Sequence, residues 1–436
     1  MDPALPTLHV RPPKGWLNDP NGPFRWRGRY HLFFQHNPDR PQHGDICWGH
    51  AVSDDLCSWS YEPVALAPTP GGPDDGGCWS GCVVDDGGVP TAVYTGFVDD
   101  EGTATVCLAH ATDADLRDWH KDPEPVVRPP GEEKWLGFRD PFLFVHEGRR
   151  YALMGAGRPG RGRPAVLLYG CDDLRRWTYL GELLDGADPV ARAEAPADIW
   201  ECPQLAQVDG RWVLVVSLWV DRTLHRVAYL VGDLVQDGSG LCFTPASGGP
   251  VDSGSAFYAP ALLVEEERVL LWGWAWEDRD EELVVEAGWA GVLTWPRVLA
   301  LHPDGRLLTT PAPELARLRT ARTRFALADG QRIPLPSGPL DIELMVRTPH
   351  AGPAKVRIGD VVGGLVLAVG TEEAGLLGIR VVVDGSLVEV YVAGGQTYTE
   401  RRYPVPNGSW QLSVEGDGDL SVDATVHRLA APDAVG

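Results

Sequence analysis

Three carboxylates carry the chemistry this chain offers, each inside a short motif. Asp19 stands in Trp16-Leu17-Asn18-Asp19-Pro20-Asn21-Gly22, Asp140 in Phe138-Arg139-Asp140-Pro141, and Glu201 in Ile199-Trp200-Glu201-Cys202-Pro203. Proline removes a backbone donor and biases the residue before it toward an extended conformation, and Asn-Gly is a turn pair. Taken alone, Asn-Asp-Pro reads as an ordinary Asx turn. Paired carboxylates across a sugar do something more: one attacks or activates water while the other protonates the leaving oxygen. Glu201 has apolar neighbours, which favour its protonated form and suit a general acid. Asp19 has amide donors beside it, and Asp140 has Arg139, so both are expected to stay ionised. Two charged acids and one protonated acid fit a retaining mechanism in which the third acid grips substrate.

The elements that position these acids are visible as a repeat. His50-Ala51-Val52-Ser53-Asp54-Asp55-Leu56-Cys57-Ser58-Trp59 is echoed by 110–119 and by 169–177, with a fainter copy at 229–234. The closing tryptophans, Trp59, Trp119 and Trp177, fall 60 and then 58 positions apart. Self-similarity at a fixed period in a strand-rich chain signals radial or solenoid repetition. Short apolar runs at 30–34, 91–94, 151–154, 212–218 and 269–274 are bounded by Gly, Pro or Asp, as strands are. About four strands per unit of about sixty residues describes a propeller blade, and roughly 310 residues make five. The Asp-Leu-x-x-Trp element is expected to be a structural turn with a buried tryptophan anchor.

Stepping by one period from Asp19 reaches Ser80, Asp140, Glu201 and Tyr258, at separations of 61, 60, 61 and 57. On the innermost strands these five side chains would all point into the axial funnel. Three of them are acids, where like charge is not normally collected.

From 311 to 324 the pattern changes, with 314–319 as the best helical stretch. Alternating strands follow at 340–346, 355–358, 365–369, 378–383, 386–392 and 411–414, with a turn at Asp384-Gly385. The expected architecture is all-β: a five-bladed β-propeller over 1–312, a linker over 313–325 and a C-terminal β-sandwich over 326–436. The sandwich is expected to support the propeller or a homo-oligomer.

Composition narrows the partners. The 17 Trp, 51 Gly and 38 Pro favour short strands and turns, and a net charge of −23 argues against nucleic acid or an anionic membrane. No apolar run approaches the roughly 18 residues of a membrane helix. The N-terminus shows no secretory signal, and the eight cysteines lack a Cys-x-x-Cys pair, so reduced thiols in a cytoplasmic protein are expected. Asn407-Gly408-Ser409 matches a glycosylation sequon but reads as a turn. His31, His50 and His110 fall in strand contexts and read as structural. Phosphate-loop, His-Glu-x-x-His and Gly-x-Ser-x-Gly motifs are absent, so neither metal nor cofactor is expected.

Together these motifs resemble glycoside hydrolase family 32, the invertase, levanase and inulinase group. The likeness adds Tyr30-His31-Leu32-Phe33-Phe34-Gln35, Trp48-Gly49-His50, Trp79-Ser80-Gly81, Phe257-Tyr258-Ala259 and Trp272-Gly273-Trp274. It resurfaces as Asp384-Gly385-Ser386-Leu387-Val388-Glu389-Val390-Tyr391. The resemblance implies hydrolysis of terminal β-D-fructofuranosyl bonds with retention, in sucrose or short fructo-oligosaccharides. Asp19 would be the nucleophile, Glu201 the general acid/base and Asp140 the transition-state stabiliser. Asn18, Gln35, Trp48, Ser80, Arg139 and Trp274 would line the fructose subsite, and Trp79 and Tyr258 are substrate-binding candidates beside them. Departures from the family pattern fall at Trp79, Cys82, Gln204 and near His43, which bears on the leaving group rather than the reaction class. Fructosyl transfer, exo-attack on levan or inulin, and an inactive sugar-binding propeller are the competing readings.

Overall fold

The computed structural model describes residues 2–431 apart from 99–103, 132–134, 161, 239, 349–351, 360–364, 372–374, 405–409 and 416–419. The sequon at 407–409 lies outside the described residues. Between Gly15 and Pro311 five sheets of four main antiparallel strands follow one another in chain order, and the first also takes Trp289–Ala290 as a short parallel strand beside Gly15–Trp26. Their first strands are Gly15–Trp26, Gly77–Asp85, Leu136–His146, Ile199–Val208 and Phe257–Val264. Each first strand packs on the next and the fifth packs back on the first, so they form the inner wall of a five-bladed ring. The second strands explain the apolar runs. In Arg211–Val220, residues 213 to 218 are all buried, because blades press on both faces of the strand.

The repeated Asp-Leu-x-x-Trp element joins the third and fourth strands of blades one to three. An acid caps each turn: in blade one the element's own Asp55 accepts through Oδ1 from the amides of Cys57 and Ser58, and in blade two Asp113, two residues before the element, accepts from those of Asp115, Arg117 and Asp118. Leu56 and Leu116 take positive φ and are buried. The indoles of Trp119 and Trp177 donate to the carbonyls of Leu116 and Leu174 at 2.9 and 2.8 Å. These tryptophans are half-buried rather than buried, since they brace a turn at the edge of the ring.

Every inner strand breaks register at the same place. Between paired positions, two residues face one on the second strand: Asn18 and Asp19 face Gln35, Trp79 and Ser80 face Thr95, and Asp140 and Pro141 face Met154. Cys202 and Pro203 likewise face Val216, and Ala259 and Pro260 face Gly273. These are β-bulges, which re-aim side chains. Asp140, Cys202 and Ala259, each before a proline, have φ of 62°, 45° and 45°. That shared backbone conformation corrects the phase expected from the sequence. Position for position, Cys202 is the equivalent of Asp140, and Glu201 is the equivalent of Arg139. The sequence period places Glu201 one residue out of step.

After a 3₁₀ turn at Pro313–Leu318, two sheets enclose a second core that includes Ile342, Leu344, Val381, Val388, Val390 and Leu412. The six-stranded sheet begins with Arg319–Ala328, and the four-stranded sheet contains Gln411–Glu415. A buried ionic network joins this sandwich to the propeller. His9 Nδ1 contacts Asp384 at 2.8 Å and its Nε2 contacts Glu389 at 3.0 Å, while Arg297 donates to Glu389 and to Asp252 at 2.6 and 2.7 Å. Burial works against charging His9, but its bonds to Asp384 and Glu389 outweigh it and raise its pKa to about 9. Because the folded value lies above the unfolded one, this stabilisation is complete below pH 6.5 and is lost as pH rises through about 9. The loss amounts to roughly 3 kcal/mol. Thermal denaturation at pH 6.5 and pH 9.5 checks it: the melting temperature should fall by several degrees, and His9→Gln should flatten that fall. An equal fall in the variant would remove His9 as its cause.

Candidate active site

The bulges open on a cavity of about 430 Å³ at one end of the propeller axis. Asn18, Asp19, Gln35, Trp79, Arg139, Asp140, Glu201, Tyr258 and Trp274 all line it. Two of the expected site residues do not. Trp48 is fully buried and its indole donates to the Trp79 carbonyl at 3.0 Å, so it supports the wall from behind. Ser80 also lies outside the lining, behind Asp19 and bonded to it. Five lining residues were not singled out from the sequence as binding groups: Trp16, His43, Cys202, Trp219 and Leu224. The departure noted near His43 was a signal for one of them. Its ring meets Trp16 and Trp79 edge-on, at 6.0 and 6.3 Å.

A closed set of neutral donors holds Asp19. Asn18 Nδ2 donates to Asp19 Oδ1 at 3.0 Å and to Gln35 Oε1 at 2.8 Å, while the Trp16 indole donates to Asn18 Oδ1 at 2.8 Å. Gln35 Nε2 donates to Ser80 Oγ, and Ser80 in turn donates to Asp19 Oδ2. Asp140 is anchored through its backbone, whose amide donates to Thr95 Oγ1 at 2.8 Å. Its Oδ2 accepts from the Cys202 amide at 2.9 Å, and the Cys202 thiol lies 3.6 and 3.5 Å from Asp19 and Asp140.

Glu201 has different partners. Arg139 Nη2 lies 2.9 Å from its Oε1, and the Tyr258 hydroxyl donates to its Oε2 at 2.6 Å. The guanidinium of Arg139 also lies over the Trp79 ring, which stacks on Phe97 at 3.8 Å. Sequence adjacency therefore misleads: Arg139 pairs with Glu201 across two blades rather than with its neighbour Asp140.

The titration pattern departs from the sequence expectation as well. Burial pushes Asp19 up to about 6; the Ser80 and Asn18 hydrogen bonds oppose this, and the charge of Glu201 reinforces it. Burial pushes Asp140 up to about 7, against the pull of Arg139 and with the repulsion of Glu201 and Asp19. Amide donors and a nearby arginine do not keep these two acids fully charged, because the cavity desolvates them together. Such a site can offer a held carboxylate and a mobile proton to one bound molecule. Trp274 adds a buried indole N–H with no hydrogen-bond partner among the described residues.

Comparison with known proteins follows this geometry. The model of the glycosyl hydrolases family 32 N-terminal domain matches residues 9–311, and that of the family 32 C terminal matches 343–428. The chain is 32% identical to the sucrose-6-phosphate hydrolase of Salmonella typhimurium, over 95% of this chain and 91% of that protein. It is 33% identical to the raffinose invertase of Escherichia coli, over 97% and 95%. The crystal structure of fructan 1-exohydrolase IIa from Cichorium intybus superposes with a TM-score of 0.85 over 99% of this chain and 98% of that one; at 22% identity this speaks for the fold alone. A propeller followed by a sandwich, a cavity with three carboxylates, and family matches covering both parts lead to one conclusion: this chain is a glycoside hydrolase of family 32.

Proposed function

We propose that the chain is a retaining, exo-acting β-fructofuranosidase that releases terminal β-D-fructofuranosyl units from sucrose or short fructo-oligosaccharides. The observation that carries this reading is the convergence of Asp19, Asp140 and Glu201 on one cavity of about 430 Å³, a size suited to a small ligand. In the proposed cycle Asp19 attacks the anomeric carbon and the bond to the glycosidic oxygen breaks as Glu201 gives that oxygen its proton. Water then attacks the fructosyl-enzyme while Glu201 takes a proton back, and Asp19 leaves. Asp140 holds two fructose hydroxyls, and Asn18, Gln35, Trp79, Arg139, Tyr258 and Trp274 complete the subsite. Ser80 and Trp48 act from behind it.

The hydrogen bonds support this division. Neutral donors fix Asp19 without pairing it to a cation, which leaves its charge available for attack. Arg139 pairs with Glu201 by charge and Tyr258 donates to it, an arrangement suited to the charged form needed when it activates water. Sugar hydroxyls donating to Asp140 would favour its charged form.

Fructosyl transfer and exo-attack on levan or inulin use the same three acids, and an inactive binding propeller would need one of them lost. The unit division stays within the proposal: a catalytic unit over 1–312, a linker from 313, and a sandwich. The pairing of Arg319–Ala328 in the larger sheet supports ending the linker before 319 rather than at 325. Eight cysteines without a disulfide suit a reducing compartment. Among the described residues no helix is long and apolar enough to cross a membrane.

Separate incubation with sucrose, sucrose-6-phosphate, inulin and levan tests the reading. Free fructose from the small substrates is expected; new oligosaccharides would favour transfer, and no product from any would favour binding only. Asp19→Ala and Glu201→Ala should each lower kcat by roughly 10³-fold or more with the fold intact. Near-native turnover in either would sink the assignment. The pH profile adds a second check. Asp19 must be charged to attack, so the acidic limb of kcat/KM should fall as pH drops through about 6. Ser80→Ala removes a bond that favours the charged form and should move the acidic limb upward. A limb near pH 4 in the native enzyme would contradict the raised value.

A further inference from the structure

A second cavity of about 560 Å³ adjoins the first, and Trp16 and His43 stand in the walls of both. Arg40 and Gln42 of blade one form one side of it, and the blade-five insertion with Glu277, Arg279 and Glu281 forms the other. A glycosidic bond cleaved in the first cavity would project its departing half into the second.

The charges of this wall are already matched. Arg279 donates to Glu277 through Nε and Nη2 at 2.9 and 2.8 Å, donates to the Trp289 carbonyl at 2.9 Å, and lies 4.3 Å over the Trp289 ring. Its side chain is only 8% exposed, so it is not free to turn toward a ligand. Arg40 is bonded to Asp45 at 2.7 Å, and Gln42 donates to Glu281. The two cations are therefore balanced by two carboxylates within a chain of net charge −23. A phosphate ester would bring further negative charge beside Glu277 and Glu281, against a wall whose two guanidiniums already face carboxylates. An uncharged sugar needs none of this. Its ring can lie against Trp16, and its hydroxyls can bond Gln42, Glu281 and Arg40 while these keep their charge balance.

The far side of the wall is held by the sandwich. The Tyr403 hydroxyl donates to Glu277 Oε1, and Arg401 Nη2 lies 3.7 Å from Glu277 Oε2. Arg279 also lies over the Tyr403 ring at 5.2 Å. The sandwich thus fixes Glu277, Glu277 fixes Arg279, and Arg279 sets the insertion that faces the cavity.

Resting on the fructoside-hydrolase reading above, we propose that this second cavity is the leaving-group subsite, shaped for an uncharged sugar and braced by the C-terminal sandwich. The chain would accordingly prefer sucrose to its 6-phosphate, although several of its relatives are named for the phosphorylated sugar.

Three substrates test this: sucrose, sucrose-6-phosphate and methyl β-D-fructofuranoside, which keeps the fructosyl half and lacks a sugar leaving group. Fructose released from the methyl fructoside reports on the parent reading by itself, and its absence there and from sucrose would remove both. Given that release, kcat/KM for sucrose should exceed that for sucrose-6-phosphate by about tenfold or more. Equal or reversed preference overturns the proposal. Glu281→Lys, at an exposed position, should raise the ratio for the phosphate ester over sucrose about fivefold; an unchanged ratio overturns it. Tyr403→Phe should lower the sucrose to methyl fructoside ratio about threefold, through a higher KM for sucrose. A uniform loss on both substrates, or no change, would overturn the bracing role.

Discussion

The structure depends on one repeated backbone irregularity. In a regular strand consecutive side chains point to opposite faces, so each inner strand would offer the axis only one of any two neighbours. The bulge removes that limit. Asn18 and Asp19, Arg139 and Asp140, and Glu201 and Cys202 are sequence neighbours, and both members of each pair line the same cavity. The cost is local. Asp140, Cys202 and Ala259 adopt positive φ, at about 1–2 kcal/mol each for residues with a Cβ. The prolines that follow them carry no N–H to be orphaned where the ladder breaks. The buried second strands and packed blades hold the irregularity in place, which is how strained residues persist at working sites.

Once the bulges have gathered acids at the axis, their charge must be managed. The protein does so unequally. Glu201 receives the one guanidinium in the lining together with a phenol, whereas Asp19 receives only neutral donors and Asp140 a backbone amide. Asp19 and Asp140 rise to about 6 and 7 as a result, because burial is only partly offset there. A cation on Asp19 would lower its pKa but would also compete with any attack it makes. The arrangement gives up full ionisation in the free enzyme to keep that oxygen uncommitted.

Much of this was legible in the residues. The period of about sixty, the Asp-Leu-x-x-Trp turns and the strand-length apolar runs depend on local chemistry, and they specify the propeller. The three acids were legible because their motifs are short and unusual. The phase of Glu201 was not, since a bulge changes side-chain direction without changing the residue count by more than one. Nor was the Arg139–Glu201 pair, which is made across blades while the sequence shows Arg139 beside Asp140. Trp48 was misplaced for a related reason: its indole is satisfied by the Trp79 carbonyl, a tertiary contact with no local signature. Trp219 and Leu224 reach the rim from a turn in blade four whose residues look like any exposed hairpin.

The motif at 384–391 shows why the sandwich travels with the propeller. Asp384 accepts from the amides of Thr7 and Leu8, and Glu389 accepts from the Trp295 amide and from Arg297. Arg401 donates to the carbonyls of Ala275 and Trp276. These contacts grip the chain before blade one and on both sides of the blade-five insertion. That insertion supplies Trp289–Ala290, the strand that pairs in parallel with Gly15 and Trp16 and so ties the fifth blade to the first. Asp19 follows three residues after that tie, on the same strand. A unit that contributes no carboxylate to the cavity therefore helps to set where the first carboxylate stands, because it holds both ends of the segment that closes the ring.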